Sequence, residues 1–278
     1  MSAADPTGQQ LLVVVDPVAR RVDGESVRIA RDVLSAGSVA KICLPDGPAE
    51  IARAVARRGR RRLVVVGDDR ALLRAVALLH RQRELADAPL AWVPVGPLPA
   101  VSVARALGVP LGAVAAARAV LDGVERRLGL LADESGGVVL GGLWAPVGAH
   151  RPGGPAGGRT GPWWSPAART ARTALALLAR PAGRPATAGQ RLRVEADGVV
   201  LADADQPLDR VAVTMAGGLA DVAVHPSGAE IPLRRRARAV TVSGPGFRYR
   251  ADNRIRGPVE ARTWTAEGEA WRLVLPRV

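Results

Sequence analysis

Residues 63–73 of this chain read LVVVGDDRALL. An apolar run ends at Gly67, two aspartates follow, and apolar residues then recur at helical spacing from Ala71 onwards. A buried strand that passes through a glycine turn into a helix is the repeating unit of a parallel α/β sheet. The stretch therefore predicts a strand over 63–66, a helix over 71–79, and a loop between them at the edge of a sheet.

The same alternation runs from the N-terminus to about residue 120. It predicts strands over 11–15, 39–44 and 90–95, and helices over 24–34, 49–55, 101–107 and 111–121. Continuous apolar strands that alternate with helices indicate a parallel sheet covered on both faces. Ligands bind such sheets at the carboxyl ends of the strands. Asp16, the loop 67–70 and Gly96 are therefore expected along one edge.

The pattern changes after Gly123. Short alternating runs separated by Gly, Pro and Asp predict a mostly antiparallel β domain. The predicted strands are 191–195, 199–202, 210–215, 221–224, 239–242 and 271–275. A helix near 165–178 interrupts them, and a Gly- and Pro-rich mobile loop over 150–162 precedes it. The predicted fold class is thus α/β, with a doubly wound parallel sheet in a domain over 1–122 and a β-rich domain over 123–278. The last strand is expected to return to the first domain.

Composition limits the function classes. The chain has 278 residues, of which 48% are hydrophobic but only 3% aromatic, so its core must consist of Val, Leu and Ala. The formal charge is +13, and Arg supplies nearly all of it because Lys41 is the only lysine. So strong an Arg bias is typical of a GC-rich genome, which weakens the charge as a sign of function. A basic surface still favours anionic membrane lipid, nucleotide or nucleic acid as a partner. No nucleic acid is expected, because no recognition helix or aromatic platform is evident.

The cysteine and histidine content and the uncharged stretches limit the kinds of site and the location that the sequence predicts. Cys43 is the only cysteine, so no intramolecular disulfide is expected, and its apolar surroundings predict a buried strand residue. The three histidines lack ligand spacing, so no zinc site is expected. Residues 1–10 are polar, and the longest uncharged stretch, 88–104, is interrupted by prolines, among them Pro94, Pro97 and Pro99. These features predict a cytoplasmic protein, at most peripheral to a membrane. A homo-oligomer is left open.

Four further motifs occur in order around 63–73. They are VDP at 15–17, VPVG at 93–96, VARALGVP at 103–110 and YRADN at 249–253. In their order and rough spacing the chain resembles the bacterial diacylglycerol kinases and related lipid kinases, which are similar in fold to NAD kinases and sphingosine kinases. The resemblance spans nearly the whole chain. It implies ATP-dependent phosphorylation of lipid, diacylglycerol first, with ATP and Mg²⁺ as cofactors.

The resemblance also implies roles for individual residues. Asp252 aligns with the aspartate proposed as general base in the family, which would take the proton from a lipid hydroxyl. Asp69 aligns with the loop aspartate that serves the nucleotide and its magnesium network. Asp16, Gly67 and Gly96 fall on the other nucleotide-binding loops. No residue is assigned as a direct metal ligand.

The departures from the family pattern fall on the phosphate-binding parts. Asp68, Arg70 and Ala71 stand where the family has two glycines and a threonine, and residues 97–99 replace polar residues with Pro-Leu-Pro. A backbone that cradles phosphate needs close approach and free N–H donors, which these residues remove. The sequence therefore favours weak or lost phosphorylation over retained activity. The alternative function is a non-catalytic ligand-binding or regulatory module on the same fold.

Several of these residues also have ordinary structural interpretations. For Asp68 a helix cap is favoured over a metal ligand, whereas for Asp69 the choice stays open. Asp252 is either a base or a turn residue. The arginines over 234–238 are best explained as a solvated edge strand or loop. Those over 57–62 suit the negative end of the preceding helix.

The tryptophans, too, are given structural interpretations first. For Trp163 and Trp164, a packing contact at the start of the predicted helix is the favoured interpretation, and insertion into a membrane interface is the minority interpretation. Trp264 and Trp271 are predicted in the core of the β domain.

Overall fold

The computed structural model describes residues 9–147 and 190–277. The predicted loop over 150–162, the pair Trp163–Trp164 and the predicted helix near 165–178 lie outside the described residues.

The first part of the chain alternates strands and helices. The strands are β1 (Gln10–Val15), β2 (Val39–Cys43), β3 (Arg62–Gly67) and β4 (Leu90–Pro94), and the helices are α1 (Pro17–Val22), α2 (Gly24–Gly37), α3 (Pro48–Ala56), α4 (Asp69–Arg81), α5 (Ser102–Leu107) and α6 (Ala113–Asp122). All pairs among β1 to β4 are parallel, in the order β2-β1-β3-β4. The predicted parallel sheet is confirmed.

Helix α1 was not predicted from the sequence. Asp16 caps it, because its Oδ1 accepts a hydrogen bond of 2.8 Å from Val18 N, and Pro17 occupies the first helical position. Only Ala19 of this helix is buried, so no apolar periodicity marks it. A single turn of 3₁₀ helix, Leu98–Val101, leads into α5.

The second part of the chain consists of antiparallel strands. They are β5 (Val124–Asp133), β6 (Val138–Val139), β7 (Leu143–Ala145), β8 (Gln190–Arg191), β9 (Arg193–Ala196), β10 (Val199–Ala202), β11 (Pro207–Ala216), β12 (Leu219–Pro226), β13 (Leu233–Ala237), β14 (Ala239–Ala251) and β15 (Arg254–Leu275). The predicted antiparallel region is confirmed, although β5, β6, β7 and most of β14 and β15 were missed.

Strand β15 joins the two parts. It is 22 residues long and pairs antiparallel with β14 and β5. Near its end Leu273 pairs with Leu90 of β4 in the parallel direction. The expected return of the last strand to the first sheet is confirmed, and the strands of both parts form one hydrogen-bonded sheet.

The tryptophans show where the cores lie. Trp264 is fully buried among Val and Leu side chains of the antiparallel strands, as predicted. Trp271 is also fully buried, but it packs with Leu72, Leu79 and Leu90 beneath the parallel sheet. Its assignment to the β-domain core holds only in part, because this cluster also contains residues of the parallel part and is shared by both.

The two edge strands of the sheet and the end of α3 test further sequence predictions. Cys43 lies on β2 but is only half-buried, because β2 is the edge strand of the parallel sheet. The arginines 234–236 are exposed on β13, which pairs with β12 at the opposite end of the strand order; of the two interpretations left open, edge strand or loop, the strand is the one that forms. Arg58 donates to Val55 O at 3.2 Å, at the end of α3, which also matches the sequence interpretation. No helix in the described ranges is both long and apolar enough to cross a membrane.

Candidate functional site

The loops predicted to meet at one sheet edge do meet there. Asp16 follows β1 and its N–H donates to Val66 O at 2.9 Å, and Val95 N donates to Gly67 O at 3.0 Å. A Cβ atom added to Gly67 would lie 2.9 Å from Asp16 Cβ, and one added to Gly96 would lie 3.6 Å from Asp68 Cβ. The structure thus brings together Asp16, Gly67 and Gly96, and their predicted role in nucleotide binding stays a prediction.

Gly67 is required by packing. An added Cβ would lie 2.8 Å from Ala71 Cβ in addition to its contact with Asp16. Separations below 3 Å between carbon atoms are far inside van der Waals contact. The glycine therefore allows the start of α4 to approach the end of β1, whether or not a ligand binds there.

Asp68 caps α4. Its extended backbone ends β3, and its Oδ1 accepts a hydrogen bond of 3.0 Å from Ala71 N. The cap interpretation is confirmed. The carboxylate consequently accepts from one of the N–H groups at the helix start, so that this group is not free for a ligand. It also places negative charge where a phosphate would otherwise bind.

Asp69 is enclosed. It has no exposed surface, its Oδ2 accepts a 2.9 Å bond from Ser102 Oγ, and its Oδ1 accepts a 3.1 Å bond from Val103 N. Burial raises the pKa of the carboxyl to about 7, against the lowering effect of these bonds, and Asp252 raises it further. Asp69 therefore anchors the start of α5 to α4 rather than facing an open cleft.

Asp252 lies in the two-residue turn between β14 and β15, with a positive φ of 49°. Its side chain is 3% exposed, and it accepts hydrogen bonds from Leu140 N (3.1 Å to Oδ2) and Gly141 N (2.6 Å to Oδ1). Burial raises the pKa to about 6, and the backbone donors oppose that shift. Asp252 thus lies in a turn, its role as a general base stays a prediction, and Oδ2 retains acceptor capacity for a further partner.

The two parts of the chain meet at these acids. A Cβ atom added to Gly141 would lie 3.2 Å from Oδ1 of Asp252 and 3.8 Å from Cγ2 of Val103, the residue whose N–H donates to Asp69. Next to Asp252, Asn253 Nδ2 donates to Pro99 O at 2.6 Å. The turn that carries Asp252 is therefore tied to the proline loop that follows β4.

Sequence reasoning missed the cations of this site. Arg74 Nη1 lies 2.8 Å from Oδ2 of the buried Asp16. Burial, then the charges of Arg256, Arg70 and Arg74, lower the pKa of the half-buried Arg254 guanidinium. The only sequence signal was the spacing of Arg70 and Arg74, which places them on one face of a helix.

A groove of about 690 Å³ opens beside Asp252. Leu140 and Gly141, whose N–H groups donate to Asp252, line it together with Leu107, Leu128 and Met215. The groove is bounded by the end of α5 and the β11–β12 hairpin. It offers mixed polar and apolar walls next to the candidate base.

The residues present do not fit a magnesium-bound nucleotide in the way that the family pattern implies. Both oxygens of Asp69 are engaged by Ser102 and Val103, and Asp68 caps a helix. Within 9–147 and 190–277, no group of three or more His, Cys, Asp or Glu side chains is placed to hold a metal ion. Asp16, the other acid at this edge, caps α1 with Oδ1 and is paired with Arg74 through Oδ2.

Three solved structures from Bacillus anthracis str. Sterne are similar to this chain. All three are described as diacylglycerol kinases, two of them by provisional assignment. Their TM-scores are 0.68, 0.67 and 0.65 at 13%, 12% and 12% identity, and the matches cover 97% of this chain and 98%, 98% and 97% of theirs. No protein-family model and no curated protein matches the sequence. The similarity confirms a diacylglycerol kinase-like fold, and at this identity it is a similarity of fold alone.

Proposed function

We propose that the protein is a ligand-binding module on a lipid-kinase-like fold that phosphorylates lipid slowly or not at all. The observation that carries the proposal is the state of the β3–α4 loop, where Asp68 caps the helix and Asp69 is buried against α5. Phosphoryl transfer depends mainly on positioning and on stabilisation of the phosphate charge. A carboxylate at the helix start opposes both.

The loop after β4 supports the same proposal. Pro97 and Pro99 have no N–H to offer a phosphate, and Ala100 N donates to Pro97 O at 2.7 Å. Pro99 O is taken by Asn253. This loop is organised to hold the Asp252 turn, and its two prolines leave it with fewer backbone donors for a phosphate.

A second candidate function is ATP-dependent phosphorylation of diacylglycerol. One observation favours it: burial raises the pKa of Asp252 to about 6, close to working pH, and a general base is most effective there. The adjoining groove of about 690 Å³ could accept the body of a lipid. The base would still lack a phosphate cradle, so we rank this function second.

An assay of ATP turnover with dioctanoylglycerol and Mg²⁺ separates the two. We expect wild-type protein and Asp252→Asn to give the same rate, equal to the rate without lipid. Loss of a working general base typically lowers the rate by about 100-fold or more. A lipid-dependent wild-type rate well above that of the variant would make the protein a kinase and overturn the proposal.

A further inference from the structure

The hairpin between β12 and β13 exposes large apolar side chains at its tip. Ile231 is 80% exposed, and Leu233, the first residue of β13, is 48% exposed. Leu233 lies opposite the buried Val224, so its side chain is on the face of the sheet that covers the core. At the other end of β13, Ala237 is only 1% exposed. The core is therefore closed at Ala237, and its apolar face runs out into solvent towards the tip.

Arginines follow this apolar tip directly along β13. Arg234 pairs with Asp221 of β12, with 3.1 Å between Nη1 and Oδ2. Arg235 and Arg236 are exposed, and within the described ranges neither side chain has a hydrogen bond or an ion pair. Residues 230–238 contain four arginines against a single acid. The hairpin therefore combines exposed apolar surface with a net positive charge.

The position of β13 at the edge of the sheet accounts for the arginines but not for the apolar tip. Charge on an edge strand prevents pairing with another chain. Exposed Ile231 and Leu233 work against that protection, because apolar surface at an edge favours association. The combination points to a partner that accepts both apolar and cationic groups. A second copy of the same edge does not fit, since its arginines would repel these.

An anionic lipid bilayer accepts both. Its headgroups carry negative charge, and apolar side chains enter the boundary between headgroups and acyl chains to a shallow depth. Guanidinium groups also match the oxygens of lipid phosphates. A protruding hairpin tip can enter such a deformable surface, whereas a protein partner would need a matching pocket. Glu230, next to Ile231, is repelled by the headgroups, which limits insertion to the tip.

The groove beside Asp252 opens next to this hairpin. Asp221, the partner of Arg234, lines the groove, and so does Gly217 in the turn between β11 and β12. Nη1 of Arg236 lies 3.9 Å from the position of a Cβ atom added to Gly217. A bilayer bound to β13 would therefore lie beside the rim of the groove.

We propose that the β12–β13 hairpin docks the protein onto an anionic lipid bilayer, with Ile231 and Leu233 in the interface and Arg235 and Arg236 on the headgroups. The inference goes beyond the proposed function and does not depend on what the groove binds. It assigns membrane contact to one surface of the molecule.

Co-sedimentation of the full chain with vesicles tests the partner. Vesicles of phosphatidylglycerol and phosphatidylcholine in equal parts are compared with vesicles of phosphatidylcholine alone, at low and at high ionic strength. We expect binding to the anionic vesicles that weakens as salt is added, and little binding to the neutral ones. Absence of binding to anionic vesicles would overturn the proposal and make an acidic protein the better occupant. Equal binding to both kinds of vesicle would overturn it as well.

Substitutions of arginine locate the surface. Arg235→Gln with Arg236→Gln should weaken binding to anionic vesicles by about 25-fold, because each arginine at such a surface tightens binding about fivefold. Arg57→Gln with Arg60→Gln removes the same charge from exposed positions after α3 and should leave binding unchanged. Equal weakening by the two pairs would indicate non-specific attraction and reject the hairpin.

The apolar tip has its own matched pair of variants. Ile231→Ser should weaken binding to anionic vesicles by about 10-fold. Val39→Ser, at a 63% exposed position on β2, should leave it unchanged. Ile231→Trp should bind at least as tightly as wild type, since tryptophan favours the membrane interface. Unchanged binding by Ile231→Ser, or loss of binding by Ile231→Trp, would contradict insertion of the tip.

Failure of this inference is separable from failure of the proposed function. Lipid-dependent ATP turnover in the assay above would overturn the proposed function and leave vesicle binding intact. Absence of vesicle binding would overturn only the docking surface.

Discussion

The two buried carboxyl groups define the site at the level of single residues. Asp69 and Asp252 come from different halves of the chain, both are almost completely buried, and both have raised pKa values, about 7 and about 6. Burial disfavours their charged forms, and the charge on Asp252 further disfavours the charge on Asp69. At neutral pH the pair therefore lowers the free energy of unfolding. Such a destabilising pair is more often found at functional sites than in ordinary protein cores.

This pair predicts how stability changes with pH. Because folding raises the pKa of Asp69 from 3.8 to about 7, its stabilising contribution is complete below pH 3.8 and is lost as pH rises to about 7. Asp69→Asn cannot ionise, so at pH 8 we expect a free energy of unfolding higher than that of wild type by on the order of 2 kcal/mol. Urea denaturation at pH 5, 6, 7 and 8 checks this. Wild type and variant with parallel pH curves would contradict it.

Ser102→Ala gives a second measurement on the same group. The Ser102 Oγ bond to Asp69 is the largest influence lowering this pKa, so its removal should raise the pKa further. The loss of stability with rising pH should then continue to higher pH than in wild type. A curve that moves towards lower pH would show that Ser102 does not donate to Asp69.

At the level of elements, the β3–α4 junction depends on a single glycine. A Cβ on Gly67 would approach Ala71 and Asp16 to within 3 Å, and neither is a flexible side-chain end. Gly67→Ala is therefore expected to lower the free energy of unfolding by about 1–3 kcal/mol.

Gly47→Ala is the matched control, because nothing lies within 4 Å of the added Cβ and the backbone there is extended. It should change stability by less than about 0.5 kcal/mol. Urea denaturation of both variants decides the matter. Equal small effects would mean that the β1 and α4 ends can separate without cost.

The bounds of the helices and strands also show which elements could be predicted from the sequence alone. The strand-to-helix units of the first sheet were predicted almost to their ends, because buried parallel strands and amphipathic helices have distinct periods. The strand ends then located Asp16, Gly67 and Gly96. Strand β15 was predicted only over its last residues, because Gly257, Pro258 and Gly268 resemble turn signals whereas the strand continues through them.

The remainder of the site depends on tertiary contacts that no local pattern encodes. Ser102 meets Asp69 across 33 positions, and Leu140 N meets Asp252 across 112.

At the level of the whole molecule, the halves share one sheet and one of their cores. Trp271 and Leu273, on β15, pack in the same cluster as Leu72 and Leu90 of the parallel part. Leu130 and Leu140 belong to this cluster as well. The predicted division into domains over 1–122 and 123–278 is still a prediction, and the shared core makes cooperative unfolding the expected behaviour.

The shared core predicts that the two halves unfold in a single transition. Trp271 is fully buried, and its Nε1 donates to Gly129 O at 3.3 Å, so Trp271→Ala leaves a large cavity where the halves join. We expect the free energy of unfolding to fall by about 3–5 kcal/mol. Far-UV circular dichroism and tryptophan fluorescence should still give coincident urea transitions, as they should for wild type. Separate transitions, of which only one moves in the variant, would instead show that the two domains unfold independently and that β15 couples them only weakly.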